Sequence, residues 1–148
     1  MQNNAYACAL RLLARREHGA HELASKLAKK GFAQLAIADA LSECQRLGLQ
    51  SDSRFVEMVC RARIHQGQGP IRIRQELQQL RIESELIASE LQKETDHWVA
   101  HATAVLKKKY KEEGEVSYIV MQKQKQFLVY RGFSMDTIAL VFNHIHND

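Results

Sequence analysis

The chain is poor in proline, in aromatic residues and in long apolar runs. Proline occurs once and aromatic residues make up 7% of the sequence, so residues of high helix propensity dominate. No apolar run approaches the roughly 18 residues that a bilayer-spanning helix needs. No segment alternates apolar and polar residues in the way a half-buried strand does. These absences argue against a membrane protein and predict an all-α fold.

The three cysteines give no sign of disulfide or metal chemistry. Cys8, Cys44 and Cys60 are odd in number, lie among apolar neighbours and form no CxxC pair. We expect small buried thiols in a reducing compartment. Residues 1–5 also lack the charged and apolar regions of a signal peptide, so a cytoplasmic protein is expected.

Motifs of catalysis, cofactor binding and metal binding are missing as well. The glycines at 67–69 are not followed by the lysine and serine or threonine of a P-loop, and no serine occupies a G-x-S-x-G elbow. His97 and His101 are four residues apart and could share a helix face, but no third ligand follows at a recognisable spacing. We therefore expect no enzymatic activity, no cofactor and no metal site.

What the chain does have is a threefold internal repeat with a period of about 50 residues. Such a period indicates repeated supersecondary units, and four apolar positions recur at equal spacing in each copy. We expect these positions to form the structural core. They are Leu27, Phe32, Ile37 and Leu41, then Leu77, Ile82, Ile87 and Leu91, then Leu128, Phe133, Ile138 and Phe142.

A turn is expected between the first and the second apolar position of each copy. A base and a glycine precede the aromatic residue in two copies, at 30–32 and 131–133, whereas the middle copy has Leu80-Arg81-Ile82. Glycine readily adopts the left-handed conformation that ends a helix. The pattern thus predicts helix ends at Gly31 and Gly132.

Helical periodicity within each copy predicts three helices, and therefore nine in all. The expected units are residues 1–50, 51–98 and 99–148, which form one continuous module. A unit of about 50 residues buries little apolar surface alone, so neighbouring units are expected to pack into an elongated, curved helical array.

Local signals predict several helix ends. Asp52 or Ser53 is expected to cap the fourth helix, and Ser134 the last one. Pro70 suits the first turn of the fifth helix, where its missing N–H costs nothing. A polar loop is expected around Gly114.

Three stretches of the sequence resemble the RecX family of bacterial regulatory proteins. Residues 52–77, DSRFVEMVCRARIHQGQGPIRIRQEL, look like the family's second repeat, including its G-P-x-x-I-x-x-E-L motif at 69–77. Residues 9–32, ALRLLARREHGAHELASKLAKKGF, resemble the first repeat, and R-G-F-S at 131–134 resembles the family's ending. The resemblance covers about residues 5–145. Leu49 departs from it, because family members usually carry tyrosine there.

The resemblance implies a non-enzymatic modulator of RecA, the recombinase that polymerises on single-stranded DNA. Proteins of this family bind the RecA filament and usually lower its ATPase, strand-exchange and coprotease activities, and so regulate recombination, DNA repair and the SOS response. The expected partners are RecA and its filament on single-stranded DNA. Weak direct contact with DNA is left open as a further interaction, and a monomer is favoured.

Three groups of bases are the candidate contacts in this mildly basic chain, whose formal net charge is +4. Arginine's planar fork suits the carboxylates of a protein surface and the phosphates of DNA alike. The repeat register would place the first two groups beside corresponding helices, where they could merge into a stripe; solvated helix faces are the plain alternative. The groups are Arg11, Arg15 and Arg16; Arg61, Arg63, Arg72 and Arg74; and Lys107, Lys108 and Lys109.

Two other classes of protein were weighed against a filament regulator, namely a helix-turn-helix DNA reader and a passive scaffold. The turns at 31–32 and 132–133 resemble short helix-turn-helix connections. However, residues 33–47 carry Arg46 as their only base, and glutamates outnumber Lys93 in residues 83–95. Phosphate would repel recognition helices of this kind, so the regulator is the favoured interpretation.

Overall fold

The computed structural model describes residues 4–111 and 116–147, the last four as helical backbone alone. Within these ranges the chain forms nine α-helices and no strand, which confirms the predicted all-α class. The loop predicted around Gly114 lies outside the described residues. The helices are α1 Ala5–Arg15, α2 Ala20–Lys29, α3 Gln34–Arg46, α4 Asp52–His65, α5 Pro70–Gln79, α6 Ser84–Gln92, α7 Trp98–Lys109, α8 Tyr118–Tyr130 and α9 Met135–Asn147, with a short 3₁₀ turn at Thr95–His97 before α7.

The same turn follows α2, α5 and α8. Its central residue has a positive φ angle in all three places, +93° at Gly31, +58° at Arg81 and +98° at Gly132. The left-handed conformation predicted at the two glycines is thus present. It occurs at Arg81 as well, where the sequence offers no glycine.

Each of these turns is closed by two backbone hydrogen bonds, one that spans five residues and one that spans three. The residue after the left-handed one donates to a leucine carbonyl five positions back, which is the Schellman arrangement for ending a helix. This bond fixes the five-residue spacing of the two positions, and the hydrophobic contact that often accompanies such a turn accounts for their apolar side chains. The three bonds are Phe32 to Leu27 at 3.3 Å, Ile82 to Leu77 at 3.1 Å and Phe133 to Leu128 at 3.1 Å.

The repeat positions lie inside the protein. Leu27, Leu77 and Leu128 are each 0% exposed. All of the other repeat positions are buried too, except Phe32 and Leu41, which are half-buried and pack against the core of α1–α3. Full burial of a leucine stabilises a fold by about 1.5–3 kcal/mol, so these positions carry a large share of the stability.

The contacts divide the chain into two compact units. One unit contains Met1–Val59 and Leu77–Ile87, and the other contains Cys60–Glu76 and Ala88–Asp148. Residues of α4 and α5 belong to both. The three unit boundaries expected from the sequence repeat remain a prediction.

In the first unit, the connection between α1 and α2 is bound to the start of α4. The carboxylate of Asp52 accepts hydrogen bonds from the Ala20 N–H at 2.8 Å and from Gln50 Nε2 at 3.0 Å. The same Gln50 amide donates to the His18 carbonyl at 3.1 Å. Since Gln50 is buried, these bonds satisfy polar groups that water cannot reach.

The prediction that Asp52 or Ser53 caps α4 is wrong. The Ser51 hydroxyl accepts the Arg54 N–H at 3.2 Å, and the Ser51 carbonyl accepts the first helical bond, from Phe55, at 3.0 Å. Ser51 is therefore the capping residue, because Asp52 is already engaged with the α1–α2 connection. The cap at Ser134 is confirmed, since its hydroxyl accepts the Thr137 N–H at 3.1 Å.

In the second unit, the start of α5 lies directly against the turn between α8 and α9. The Gly69 N–H donates to the Arg131 carbonyl at 2.8 Å, and the Ile71 N–H donates to the Gly132 carbonyl at 3.0 Å. A Cβ atom on Gly69 would lie 2.5 Å from the Gly132 oxygen, so only glycine permits this approach. Pro70, between the two donors, is the first residue of α5 as predicted.

Aromatic packing completes the second unit. The Trp98 ring meets the Phe133 ring edge to face, with centroids 6.4 Å apart. Both side chains are buried, and such a pair is worth about 0.5–1.5 kcal/mol beyond the area it buries. In the described ranges, no helix combines the length and the apolar character needed to cross a membrane.

Candidate partner-binding surface

The first basic group lies on and just after α1 and contains one arginine with a structural role. Arg11 and Arg15 are exposed. Arg16 instead donates two hydrogen bonds to Glu22, at 3.0 Å and 2.6 Å. Burial is the largest single effect and opposes ionisation of Glu22, but the hydrogen bonds and charge of Arg16, with His18 and Lys26, together keep the pKa of this carboxyl below its ordinary value. Arg16 therefore holds α2 in place, although its own side chain is 39% exposed; Arg11 and Arg15 face solvent as well.

The second group also contains an arginine with a structural role and one that is exposed. Arg63, half-buried on α4, forms a two-pronged ion pair with Glu76 of α5, through Nε at 2.7 Å and Nη2 at 2.8 Å. These hydrogen bonds raise the pKa of Arg63 above its ordinary value. The pair joins α4 to α5 and marks Arg63 as a structural residue, whereas Arg61 on the same helix is exposed.

The two arginines of α5 have different surroundings. The Arg72 guanidinium lies 4.7 Å from the centre of the Tyr130 ring, a cation–π contact. The stem of Arg72 also packs on Gly132, where an added Cβ would lie 2.6 Å from Arg72 Cγ. Arg74 is exposed. Of the two, Arg74 is the side chain that a partner could contact without disturbing the fold.

The third group occupies the last turn of α7. Lys107, Lys108 and Lys109 are all exposed, and cations at this end of a helix interact favourably with its dipole. Lys109 Nζ lies 5.9 Å from the centre of the Phe127 ring on α8. Arg131, which the three predicted groups omit, approaches the same ring, with its Cζ 5.1 Å from the centre. The base before glycine in R-G-F-S was the one sequence signal for Arg131.

A pocket of about 420 Å³ opens where Arg131 meets Lys108 and Lys109. The end of α4, one face of α7 and the last turn of α8 form its walls. Arg131 is fixed at its rim, because its Nη1 donates to the Gln66 carbonyl at 3.0 Å. The structure thus places two residues of the third group in a concavity. It does not place Lys107 there.

The two histidines with helical spacing share one carboxylate. His101 Nε2 donates to Glu94 Oε1 at 2.8 Å, and His97 Nδ1 lies 3.7 Å from the same oxygen. Throughout the residues that can be described, no group of three or more His, Cys, Asp or Glu side chains is arranged to hold a metal ion. The geometry gives these histidines a shared contact with the Glu94 carboxylate.

The cysteines are free and buried, as predicted. Burial, with a smaller contribution from nearby glutamates, raises the pKa of Cys60 to about 12. Burial also raises the pKa of Cys44. Because the thiolate is the reactive form, neither of these two thiols is suited to nucleophilic or redox chemistry at neutral pH.

Three sequence models of the RecX family match consecutive parts of the chain. They describe the first, second and third three-helix domains of RecX and match residues 5–44, 51–91 and 96–142. Together they cover most of the sequence. Residues 112–115, which the structure does not describe, fall within the third match.

Curated relatives extend this similarity over nearly the whole chain. The regulatory protein RecX of Legionella pneumophila (strain Corby) is 52% identical over 141 residues, which cover 95% of this chain and 94% of the relative. The regulatory protein RecX of Pasteurella multocida is 38% identical over 135 residues, which cover 90% of this chain and 82% of the relative.

The fold is also similar to that of solved proteins. The crystal structure of RecX from Lactobacillus salivarius superposes with a TM-score of 0.82 at 23% sequence identity, over 97% of this chain and 96% of that one. A second crystal structure, of a regulatory protein RecX, gives a TM-score of 0.79 over 94% of this chain. At this identity the superpositions establish the helical architecture alone.

Proposed function

Since this chain belongs to the RecX family of regulatory proteins, we propose that it binds RecA filaments on single-stranded DNA and lowers their activity. The affected activities are the ATPase, strand exchange and coprotease functions of RecA. The match of all three RecX helical domains, in order along the chain, is the observation that supports this proposal most strongly. The protein acts in the cytoplasm by binding rather than by catalysis.

The exposed bases are the proposed contacts with the filament. They include Arg11, Arg15, Arg61, Arg74 and Lys107, which lie at the surface. Acidic side chains of RecA or phosphates of the strand would pair with them. Arg16 and Arg63 contribute indirectly, because their ion pairs with glutamates position the helices that carry the exposed bases.

The three-helix units at 1–50, 51–98 and 99–148 are proposed to act as one module on the filament, and the active species is proposed to be a monomer. Weak direct binding to single-stranded DNA would add to the affinity for RecA. It would not replace that affinity, because the net charge is modest.

A titration of the protein into RecA on single-stranded DNA tests the proposal. We expect the DNA-dependent ATPase rate to fall at amounts well below one protein per RecA, and the protein to co-sediment with the filament. A folded protein that leaves the ATPase rate unchanged and stays in the supernatant would overturn the proposal. Protection of a short duplex site in the absence of RecA would identify a helix-turn-helix reader instead.

A further inference from the structure

We propose that the pocket formed by the end of α4, α7 and the end of α8 binds a nucleotide, with the phosphate held by Lys108, Lys109 and Arg131. The pocket measures about 420 Å³, which lies within the range of roughly 300–1,000 Å³ typical of small-molecule sites. It belongs entirely to the second compact unit. Its ligand would be a mononucleotide or one nucleotide of a single strand.

The charge of the pocket favours an anion. Lys108, Lys109 and Arg131 line it together with His65 and His101, and none of the lining residues within 4–111 and 116–147 is a carboxylate. The nearby Glu94 carboxylate is bonded to His101 at 2.8 Å. Three permanent cations around one concavity repel one another unless an anion sits among them, and phosphate is an anion that arginine and lysine both bind readily.

Two of the three cations, Arg131 and Lys109, are held in place before any ligand arrives. The bond from Arg131 to the Gln66 carbonyl uses one of the five donors of a guanidinium. The Phe127 ring lies under Arg131 at 5.1 Å and under Lys109 at 5.9 Å. An aromatic ring that gathers two cations offsets part of their repulsion. A site ordered in this way loses less entropy when it binds.

The rest of the pocket suits the sugar and base of a nucleotide. Ile64 of α4, Val105 of α7 and Phe127 of α8 supply its apolar wall. Gly67 gives this wall its shape, since a Cβ there would lie 3.2 Å from Val105 and 3.5 Å from Arg131 Nη1. Proteins that bind single strands combine basic side chains for the backbone with apolar and aromatic surface for the bases. A duplex presents no free base face to such a wall.

The inference rests on the proposed function only for the source of the nucleotide, so its test uses the protein without RecA. Amide chemical shifts of the full chain would be followed during titration with dAMP, with inorganic phosphate and with a single-stranded oligothymidylate. We expect saturable shifts in residues 64–67 and 104–109 with dAMP or with the oligothymidylate, and weaker binding of inorganic phosphate. Saturation by dAMP would indicate a mononucleotide site, and saturation by the oligothymidylate alone a site for the strand.

Exposed lysines of the second unit provide a matched control. Lys108→Gln and Lys109→Gln should each weaken binding about tenfold, the loss expected for one charge-assisted contact. Lys123→Gln removes the same charge at an exposed position of α8 that does not line the pocket, and should change the affinity less than twofold. Ala104→Leu narrows the pocket at an exposed position without a change in charge, and should weaken binding as well.

Three outcomes would overturn the nucleotide site. The first is the absence of saturable shifts in the pocket with either ligand. The second is an equal loss of affinity in all three lysine variants, which would indicate diffuse attraction at the surface. The third is occupation of the pocket by a poly-glutamate peptide but by neither nucleotide ligand. Each could occur while the RecA titration succeeded, so failure of this inference is distinguishable from failure of the proposed function.

Discussion

The middle one of the three repeated turns has Arg81 at the position where the other two have glycine, yet all three share the same left-handed conformation. The φ angle of Arg81 is +58°. An L-residue in the left-handed region costs roughly 1–2 kcal/mol, so the middle turn is formed against a local backbone preference. The buried side chains of Leu77 and Ile82 on either side of it supply the compensating packing.

The equivalent glycines allow backbone strain to be separated from crowding. An added Cβ meets nothing within 4 Å at Gly31, whereas at Gly132 it would lie 2.6 Å from Arg72 Cγ and 2.8 Å from Arg72 N. We expect Gly31→Ala to lower the free energy of unfolding by about 1 kcal/mol through strain alone. Gly132→Ala should cost about 3 kcal/mol, because crowding adds to the strain. Urea denaturation followed by circular dichroism would measure both.

The middle turn provides the opposite control. Arg81→Gly should stabilise the protein by about 0.5 kcal/mol, since the relief of the left-handed strain slightly exceeds the entropy that glycine loses on folding. Destabilisation by Arg81→Gly would show that the arginine side chain makes a contribution larger than the strain. Equal losses in the two glycine variants would show that Arg72 moves aside at little cost.

His18 is a buried histidine that the structure keeps neutral. Its Nδ1 lies 3.0 Å from the Arg16 carbonyl, which can only accept, and its Nε2 lies 2.9 Å from the Lys26 ammonium, which can only donate. The proton therefore resides on Nδ1. Burial lowers the pKa of His18, and the charges of Arg16 and Lys26 lower it further, against the opposing effects of the backbone hydrogen bond and of Glu22.

This environment predicts a loss of stability in mild acid. Because the pKa of folded His18 lies below its ordinary value of 6.5, the unfolded chain takes up the proton first as the pH falls. The stability that neutral His18 contributes is complete above about pH 6.5 and decreases below it, toward the folded pKa. Urea midpoints at pH 7.5 and pH 5.5, with an NMR titration of the His18 ring, would measure the effect.

Lys26→Met should raise the pKa of His18 in the same titration, because it removes a like charge and a donor to the neutral ring. Lys29→Met, at an exposed position of the same helix, should leave the pKa where it is. If both variants gave the wild-type titration curve, the Lys26 contact would have no part in keeping His18 neutral.

At the scale of helices and turns, sequence reasoning succeeded where the structure depends on neighbours in the chain. The spacing of Leu27 and Phe32 reflects a hydrogen bond within one turn, so it is visible in a linear pattern. The partner of Arg63 is 13 residues away on another helix, so no local sequence pattern indicates it. The cap of α4 was misplaced for the same reason, since Asp52 is engaged by Ala20, which is 32 residues distant.

The Arg63–Glu76 pair is expected to stabilise the junction of α4 and α5. Both side chains are about one-third exposed, at 29% and 32%, so solvent screening limits the coupling energy to about 0.5–1 kcal/mol. A double-mutant cycle with Arg63→Gln and Glu76→Gln, read by urea denaturation, would measure it.

The exposed Arg46–Glu43 pair, at 67% and 41%, offers a comparison cycle and should show a smaller coupling. Additive effects of the two substitutions at 63 and 76 would mean that the pair contributes nothing. In that case Arg63 would return to the group of candidate contact residues.

Across the whole molecule, ion pairs remove several bases from the set that a partner could contact. Arg16, Arg46 and Arg63 each pair with one glutamate, so these three pairs add nothing to the net charge. The formal net charge of +4 is thus carried by the remainder of the chain. A count of bases along the sequence could not separate these two sets, because the separation depends on which helices pack together.

Arg74 is the position at which a contact role can be tested without a structural cost. Its neighbour Arg72 packs on Tyr130 and Gly132, so charge reversal at Arg72 would combine lost binding with lost packing. Arg74→Glu changes an exposed side chain on the same helix. We expect it to raise the concentration needed for half-inhibition of the RecA ATPase about tenfold, since one attractive contact becomes repulsive, at a cost of about 1.4 kcal/mol.

Lys29→Glu, an exposed reversal on α2 outside the three basic groups, is the matched control and should change inhibition less than twofold. The difference between the two variants should shrink as salt is raised from 50 mM to 300 mM, because screening weakens exposed charge contacts. Circular dichroism should show the same helicity in both. If the two variants inhibited RecA equally well at low salt, α5 would be removed from the filament-binding surface, and Arg11, Arg15 and Lys107 would be the next positions to reverse.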